Sequence, residues 1–134
     1  MATNIKLKID SEIHNHLDHA FDFLDFSDDQ NDTYDEPYNK TTFDSFVDPN
    51  GTVTWKAEDM NNGTQLSITN IVFDSPPRGF FTSNPSKQKD GTWKAIVGIN
   101  NSDKPIACEY TITFDDGQGD TPIPIDPKLQ IRKN

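Results

Sequence analysis

The sequence predicts an all-β fold, a two-sheet antiparallel β-sandwich with seven to nine short strands. The clearest evidence lies in residues 106–114, where every second side chain is apolar or aromatic: Ile106, Cys108, Tyr110, Ile112 and Phe114. Such alternation is typical of a central strand with one face in the core. Shorter alternating segments recur between turn sequences at 48–51, 62–63 and 90–91. Strands of this length and spacing are what a sandwich requires.

The N-terminal third contains one clear strand and one ambiguous segment. Residues 5–9 alternate apolar side chains with lysines, which predicts a strand with a solvated face at the edge of a sheet. Residues 11–26 fit either a strand or a short helix that begins at Asp10 or Ser11, and we favour the strand. Between Asp18 and Glu36 the chain has eight carboxylates and no lysine or arginine. Because like charges repel, we expect an acidic surface excursion at about 18–39.

Two further strands, 52–57 and 65–73, form a predicted hairpin around the Asn-Gly turn at 62–63. Apolar residues stand on both faces of the second strand, since Ile68 and Val72 share one face and Ile71 and Phe73 the other. This strand is therefore either covered on both sides or bulged near Asn70. We favour the bulge.

Prolines predict a loop over 75–85. Phe80 and Phe81 lie inside it, and exposed phenylalanines would be costly unless they plug the end of the sandwich or meet a partner. Plugging is the interpretation that we favour. A strand over 93–99 follows, and the last strand must lie at an edge or begin after Pro127, because proline cannot donate a ladder hydrogen bond.

Short motifs in the second half of the chain carry a family resemblance. They are Gly51-x-Val53-x-Trp55, Leu66-x-Ile68, Phe73, Tyr110-x-Ile112-x-Phe114 and Asp126-Pro127-x-Leu129-x-Ile131. In this order they resemble copper-less cupredoxin-like β-sandwich proteins of bacteria, over about residues 47–134. More loosely, the chain is similar to the AidA/PixA inclusion-body proteins, which end in a comparable Asp-Pro strand. The resemblance implies a cupredoxin/immunoglobulin-like sandwich.

Length and charge limit the classes of function. The 134 residues fit a single domain, 1–134. A net charge of −10 argues against direct binding of nucleic acid or of an anionic membrane, and favours basic proteins or cations as partners. One cysteine cannot form an internal disulfide, and charged residues interrupt the N-terminal segment where a signal peptide would be apolar. We therefore expect a cytoplasmic protein, with a removed signal as the alternative if Met1 was added.

Three histidines make the strongest metal-binding pattern. His14, His16 and His19, with Asp18, match the His-x-His-x-Asp-His string of metallo-β-lactamase-fold hydrolases. That family needs further histidines downstream, and this chain has none after His19, so we reject the hydrolase interpretation. A divalent cation on these three histidines stays open, against a polar loop that happens to contain them. Otherwise we expect no cofactor: Cys108, for example, is not followed by the histidine that a blue-copper site requires.

No catalytic motif is complete, since a Gly-x-Ser-x-Gly elbow, a phosphate loop and a dinucleotide fingerprint are all missing from the sequence. We predict a non-enzymatic binding or assembly module that contacts a protein partner or itself through its edge strands and the Phe80–Phe81 loop, with Arg78 as an anchor.

The first alternative is an acidic inhibitor or decoy of a basic protein, and the second is a metal-binding protein that uses the histidines. In the first alternative the contacts come from four carboxylates: Asp28, Asp29, Asp32 and Asp35. Because these residues repel one another, we expect that neutralising them leaves the stability unchanged or slightly raised.

Overall fold

The computed structural model describes residues 2–15, 23–32, 43–115, 120–122 and 127–134. Their regular structure is strand apart from one 3-10 turn at Ser11–Asn15, which confirms the all-β prediction. The strands are β1 (Ala2–Ile9), β2 (Leu24–Asp28), β3 (Asp44–Val47), β4 (Thr52–Asp59), β5 (Gln65–Phe73), β6 (Phe81–Lys87), β7 (Trp93–Val97), β8 (Ile106–Asp115), β9 (Asp120–Pro122) and β10 (Lys128–Ile131). Within the described ranges, no helix has the length and apolar character needed to cross a membrane.

The strands join in one hydrogen-bonded path, β2-β1-β4-β5-β8-β10-β3, with β7 and β6 branching from β4 and β9 lying beside β8. The branch arises because β4 changes partner along its length. Its first half, Thr52 to Trp55, pairs with β7, and Ala57 and Glu58 pair with β5. Side-chain hydrogen bonds link the two ends of the path, so the sheet is nearly barrel-shaped. Two separate sheets are not confirmed.

Two strand pairs differ from the antiparallel prediction. β1 runs parallel to β4, and β10 runs parallel to β3. β1 also pairs with β2, so the predicted edge position of residues 5–9 is wrong. The lysines of β1 show which face of the strand is solvated, but they do not show whether its backbone is paired with a strand on each side. The antiparallel prediction is therefore wrong for these two pairs.

Several elements are confirmed. β8 is a central strand that pairs with β5, β9 and β10, and its alternate side chains from Cys108 to Phe114 are buried. The β4–β5 hairpin forms, and the register between β5 and β8 shifts between Ile68 and Asn70, as the predicted bulge requires. β10 begins directly after Pro127.

β6 occupies part of the predicted loop over 75–85, and the loop prediction is wrong there. β6 pairs with β7 alone among the described strands, and its register shifts twice. An edge strand of this kind tolerates Pro85, because the missing N–H need not serve a ladder. The prolines in this segment therefore led to a loop prediction where β6 is a strand.

Aromatic side chains of β4, β5 and β8 contact one another in the core. Trp55 of β4 donates its indole N–H to the Tyr110 hydroxyl of β8 at 3.1 Å, and Tyr110 stacks on Phe73 with ring centroids 4.6 Å apart. Burial raises the pKa of Tyr110, so the hydroxyl stays protonated. Trp93 donates its indole N–H to the Ile68 carbonyl oxygen beside the bulge at 2.8 Å. The inner faces of β4 and β8 thus share one core.

Candidate interaction surfaces

The Phe80–Phe81 loop packs inward. Phe80 is 3% exposed and Phe81 is half-buried. Both rings contact Phe73, with centroids 6.1 Å from Phe80 and 4.8 Å from Phe81. Arg78 is exposed at the tip of the loop. The two phenylalanines therefore plug the core, and of the predicted contact residues in this loop Arg78 alone is fully at the surface.

Glycines hold this plug close to β7. The Gly98 N–H donates to the Phe80 carbonyl oxygen at 2.9 Å. A Cβ atom on Gly98 would lie 2.1 Å from the Gly79 carbonyl oxygen, closer than any non-bonded contact permits. Gly79 itself has a positive φ of 77°. The turn can thus approach the end of β7 only because residue 98 has no side chain.

Two of the predicted partner-binding carboxylates, those of Asp28 and Asp32, form hydrogen bonds to residues of β3. The carboxylate of Asp28 accepts the N–H groups of Gln30 and Asp32, both at 3.0 Å, and the hydroxyl of Ser45 at 2.6 Å. The carboxylate of Asp32 accepts the N–H of Phe46 at 2.9 Å. We call Asp28, Asp32, Ser45 and Phe46 the β2–β3 clasp. These hydrogen bonds argue against the expectation that the carboxylates are dispensable for folding.

The electrostatics of the clasp differ from those of a solvated charge run. Burial and a hydrogen bond with Asp28 raise the pKa of Asp32 to about 6, against the opposing effects of the Phe46 N–H and of Arg132. Asp29 accepts the backbone and side-chain N–H groups of Asn4, at 3.0 and 2.6 Å. Burial acts to raise the pKa of Asp29, and these hydrogen bonds outweigh it and lower the pKa.

Asp35 lies outside the described residues. β2 itself falls within the segment that was predicted to be a surface excursion. That Asp28, Asp29, Asp32 and Asp35 bind a basic partner stays a prediction.

Two of the edge strands, β3 and β6, have features that hinder the addition of a further strand. On β3, the Phe46 N–H is taken by Asp32 and the Phe46 carbonyl oxygen accepts the Thr3 hydroxyl at 2.8 Å. On β6, Pro85 and two register shifts interrupt the ladder. Both features blunt an edge against further pairing.

The histidine prediction is not tested by the described residues. His14 lies in the 3-10 turn, but its side chain, His16 and His19 fall outside the description. Among the residues that are described, no group of three or more His, Cys, Asp or Glu side chains could hold one metal ion. A divalent cation at His14, His16 and His19 therefore stays a prediction.

A basic surface appears on this acidic chain where β1, β4 and β7 lie side by side. Lys6 of β1 stands directly opposite Lys56 of β4 in the parallel register. Their ammonium groups share one carboxylate, that of Glu58, at 3.7 Å from Lys6 and 3.3 Å from Lys56. The side chain of Glu58 is 14% exposed, against 44% and 43% for the two lysines. One carboxylate thus serves two solvent-facing ammonium groups.

Two more lysines extend this surface. Lys8 lies opposite Glu58 on β4, and Lys94 of β7 is exposed and lies opposite Thr54. Burial acts to raise the pKa of Glu58, but the hydrogen bond from Lys56 and the charges of the lysines outweigh it and lower the pKa. We call Lys6, Lys8, Lys56 and Lys94 the lysine face. Sequence reasoning missed it because the strand register, not the sequence spacing, brings these residues together.

A shallow groove lies where β5 ends beside β8. Its volume is about 260 Å³, and it is lined by Val72, Phe73, Asp74, Glu109, Tyr110 and Thr111. Val72 is 55% exposed. In the described part of the chain, the carboxylates of Asp74 and Glu109 accept no hydrogen bond and form no ion pair. We call this surface the Val72 groove.

Cys108 lies just inside this groove. Its thiol donates to the Asp74 carbonyl oxygen at 3.3 Å. Burial is the main cause that raises the pKa of the thiol, and the negative charge of Asp74 raises it further. A raised pKa disfavours the reactive thiolate, so Cys108 is suited to packing and not to nucleophilic chemistry.

The lysine face and the Val72 groove are two separate surfaces that both point away from the core. Trp55 and Tyr110 meet in the core, and successive side chains on a strand point to opposite faces. Lys56, next to Trp55, therefore points outward from β4. Glu109 and Thr111, which flank Tyr110, point outward from β8.

Comparisons with known proteins yield no family. No protein-family model matches the chain, and no curated protein matches it. Among solved structures it is similar to the inclusion body protein PixA from Burkholderia cenocepacia J2315, with 11% sequence identity and a TM-score of 0.47 over 100% of this chain and 95% of that one.

It is also similar to the endo-fucoidan hydrolase MfFcnA9 from glycoside hydrolase family 107, with 14% identity and a TM-score of 0.37 over 72% of this chain and 16% of that one. PixA is one of the inclusion-body proteins to which the sequence has its looser resemblance. Both TM-scores lie below 0.5, so neither likeness carries an inference about function. The cupredoxin-like resemblance stays a prediction.

Proposed function

We propose that this protein is a non-enzymatic cytoplasmic module that acts through protein–protein contacts, and that its lysine face docks an acidic protein surface. The observation that carries the proposal is the direct opposition of Lys6 and Lys56 around the single carboxylate of Glu58. Like charges directly opposite each other on neighbouring strands are unfavourable. A second carboxylate, supplied by a partner, would relieve that repulsion.

The energetics favour a reversible contact. The lysine side chains are partly exposed, so each ion pair with a partner contributes only about 0.2–1 kcal/mol. Several such pairs on one face add up, and oppositely charged surfaces also accelerate encounter. Because the net charge of the chain is −10, an acidic partner is attracted by this face and repelled by most of the remaining surface. Charge therefore orients the partner.

The finer fold assignment belongs to the same proposal. We place the lysine face and the Val72 groove on the outer faces of two packed sheets of a cupredoxin/immunoglobulin-like sandwich. The meeting of Trp55 and Tyr110 between β4 and β8 supports this arrangement. The free, buried thiol of Cys108 supports a cytoplasmic location, because it takes part in no disulfide.

The test uses a poly-glutamate peptide as a model acidic partner, titrated into the ¹⁵N-labelled protein at low salt and followed by NMR. We expect chemical-shift changes at the backbone amides of Lys6, Lys56 and Lys94, and we expect added salt to reverse them. A Lys56→Gln, Lys94→Gln variant should bind the peptide more weakly.

The matched control is a Lys104→Gln, Lys133→Gln variant, which makes the same charge change at two exposed lysines away from the lysine face. It should bind like the parent. Equal loss of binding in both variants, or shifts that centre on Lys104 and Lys133, would show that the lysine face is not a docking surface.

A further inference from the structure

We propose that the acidic surface that docks on the lysine face is the Val72 groove of a second copy of this chain, so that copies join head to tail. This inference rests on the proposed function and adds the identity of the partner. Its starting point is that the groove and the face each contain charges that the described part of a single copy does not neutralise.

The two surfaces match in charge. The groove presents the carboxylates of Asp74 and Glu109, which have no partner in the described part of the chain. The face presents Lys94, which forms no ion pair among the described residues, and the Lys6 and Lys56 pair with its single carboxylate. Exposed carboxylates therefore meet exposed ammonium groups when one surface is placed on the other.

The two surfaces also match in their apolar parts. Val72 is the most exposed large hydrophobic side chain in the described part of the chain, and it lies in the groove beside the two carboxylates. On the face, Thr54 lies directly opposite Lys94, Ile96 is the next residue on the same side of β7, and both side chains are half-buried. Lysine side chains cover apolar surface with their methylene groups while the ammonium groups stay in water. These groups can cover Val72 and still reach Asp74 and Glu109.

The position of the two surfaces determines the form of the assembly. They point outward from different strands around one core, so a single copy cannot bring its own groove onto its own face. A contact between two copies uses a different surface on each, and leaves one face and one groove free at the two ends. Such a heterologous contact can add further copies, in an open chain or in a closed ring. The expected product is a head-to-tail assembly whose mean size grows with protein concentration.

The first experiment is sedimentation velocity of the full chain over a range of concentrations, at about 20 mM and about 500 mM NaCl, where screening lengths differ severalfold. We expect the mean size to grow with concentration at low salt, and the apparent association constant to fall roughly tenfold or more at high salt. A chain that stays monomeric at every concentration at low salt would overturn the inference.

The second experiment exchanges the charges between the two surfaces. One variant, Lys56→Glu with Lys94→Glu, makes the face acidic, and the other, Asp74→Lys with Glu109→Lys, makes the groove basic. Each variant alone should stay monomeric, because its face and groove then have the same sign of charge. An equimolar mixture should associate, because each face now meets a groove of opposite charge.

A Lys104→Glu, Lys133→Glu variant controls for the change in net charge and should associate like the parent. Circular dichroism confirms that each variant is folded, and the salt series on the parent needs no variant at all. A folded mixture that fails to associate would overturn the inference. Poly-glutamate binding without self-association would reject this partner and keep the proposed function, whereas loss of poly-glutamate binding would reject both.

Discussion

Replacing Asp28 by alanine is expected to lower the free energy of unfolding by about 2 kcal/mol, because the three hydrogen bonds that its carboxylate accepts disappear. The Ser45 hydroxyl is fully buried and loses its acceptor, at a cost of about 1–3 kcal/mol. The N–H groups of Gln30 and Asp32 are nearer to solvent and cost roughly 0.5 kcal/mol each. Relief of repulsion between Asp28 and Asp32 offsets up to about 1 kcal/mol.

Equilibrium urea unfolding at neutral pH measures this change, which should move the midpoint by roughly 1 M. The matched control is Asp103→Ala, which removes the same charge from an exposed side chain with no hydrogen bond in the described structure. A Ser45→Ala variant completes a double-mutant cycle, in which Asp28→Ala should cost less once the buried hydroxyl is gone. If Asp28→Ala is no less stable than Asp103→Ala, or if the cycle shows no coupling, the clasp does not hold β2 to β3.

Three further outcomes are expected. Asp32 has a pKa raised to about 6, so it binds its proton more tightly in the folded state, and its contribution to stability is present below about pH 4 and lost as the pH rises through 6. The Asp32→Asn variant should therefore be as stable as the parent at pH 4 and more stable by about 1 kcal/mol at pH 7, a value reduced for solvent screening because the carboxyl is only partly buried. An equal difference in stability at both pH values would contradict the raised pKa of Asp32. Gly98→Ala should lower the stability measured by thermal unfolding by about 3 kcal/mol or more, because the new Cβ would meet the Gly79 carbonyl oxygen. Gly63→Ala, where the Cβ would enter open space at a φ of 74°, should lower it by about 1–2 kcal/mol. Equal losses in the two variants would refute the close approach of Gly79 to Gly98. Cys108 should react with a thiol reagent far more slowly in the folded protein than in denaturant, and equal rates would contradict its burial.

Strand-forming segments were predictable from the sequence where one face is apolar. β8 and the β4–β5 hairpin follow from period-two alternation and turn residues, and even the bulge between Ile68 and Asn70 is visible as a change of apolar face. β6 was not predictable in this way. Its side chains are mostly exposed and one is proline, so it has no apolar face and its ladder with β7 alone defines it.

Strand order and the candidate surfaces were less predictable, because they depend on register. Alternation shows which side of β1 faces the core, but the parallel pairing with β4 comes from residues about fifty positions away. The same register makes Lys6 and Lys56 neighbours. For the acidic segment, repulsion suggested a solvated run, yet Asp28 finds buried partners in the Ser45 hydroxyl and in backbone N–H groups. A count of charges in the sequence cannot predict such hydrogen bonds.

The pairing of β3 with β10 has a consequence for the order in which the molecule can fold. The two strands are parallel neighbours, although their ladder pairs residues that are 84 positions apart in the sequence. Because a loop of that length must close before the ladder contributes, we expect folding to be slow for a domain of this size. During synthesis β3 is made well before its partner emerges from the ribosome, and it has to wait without its ladder.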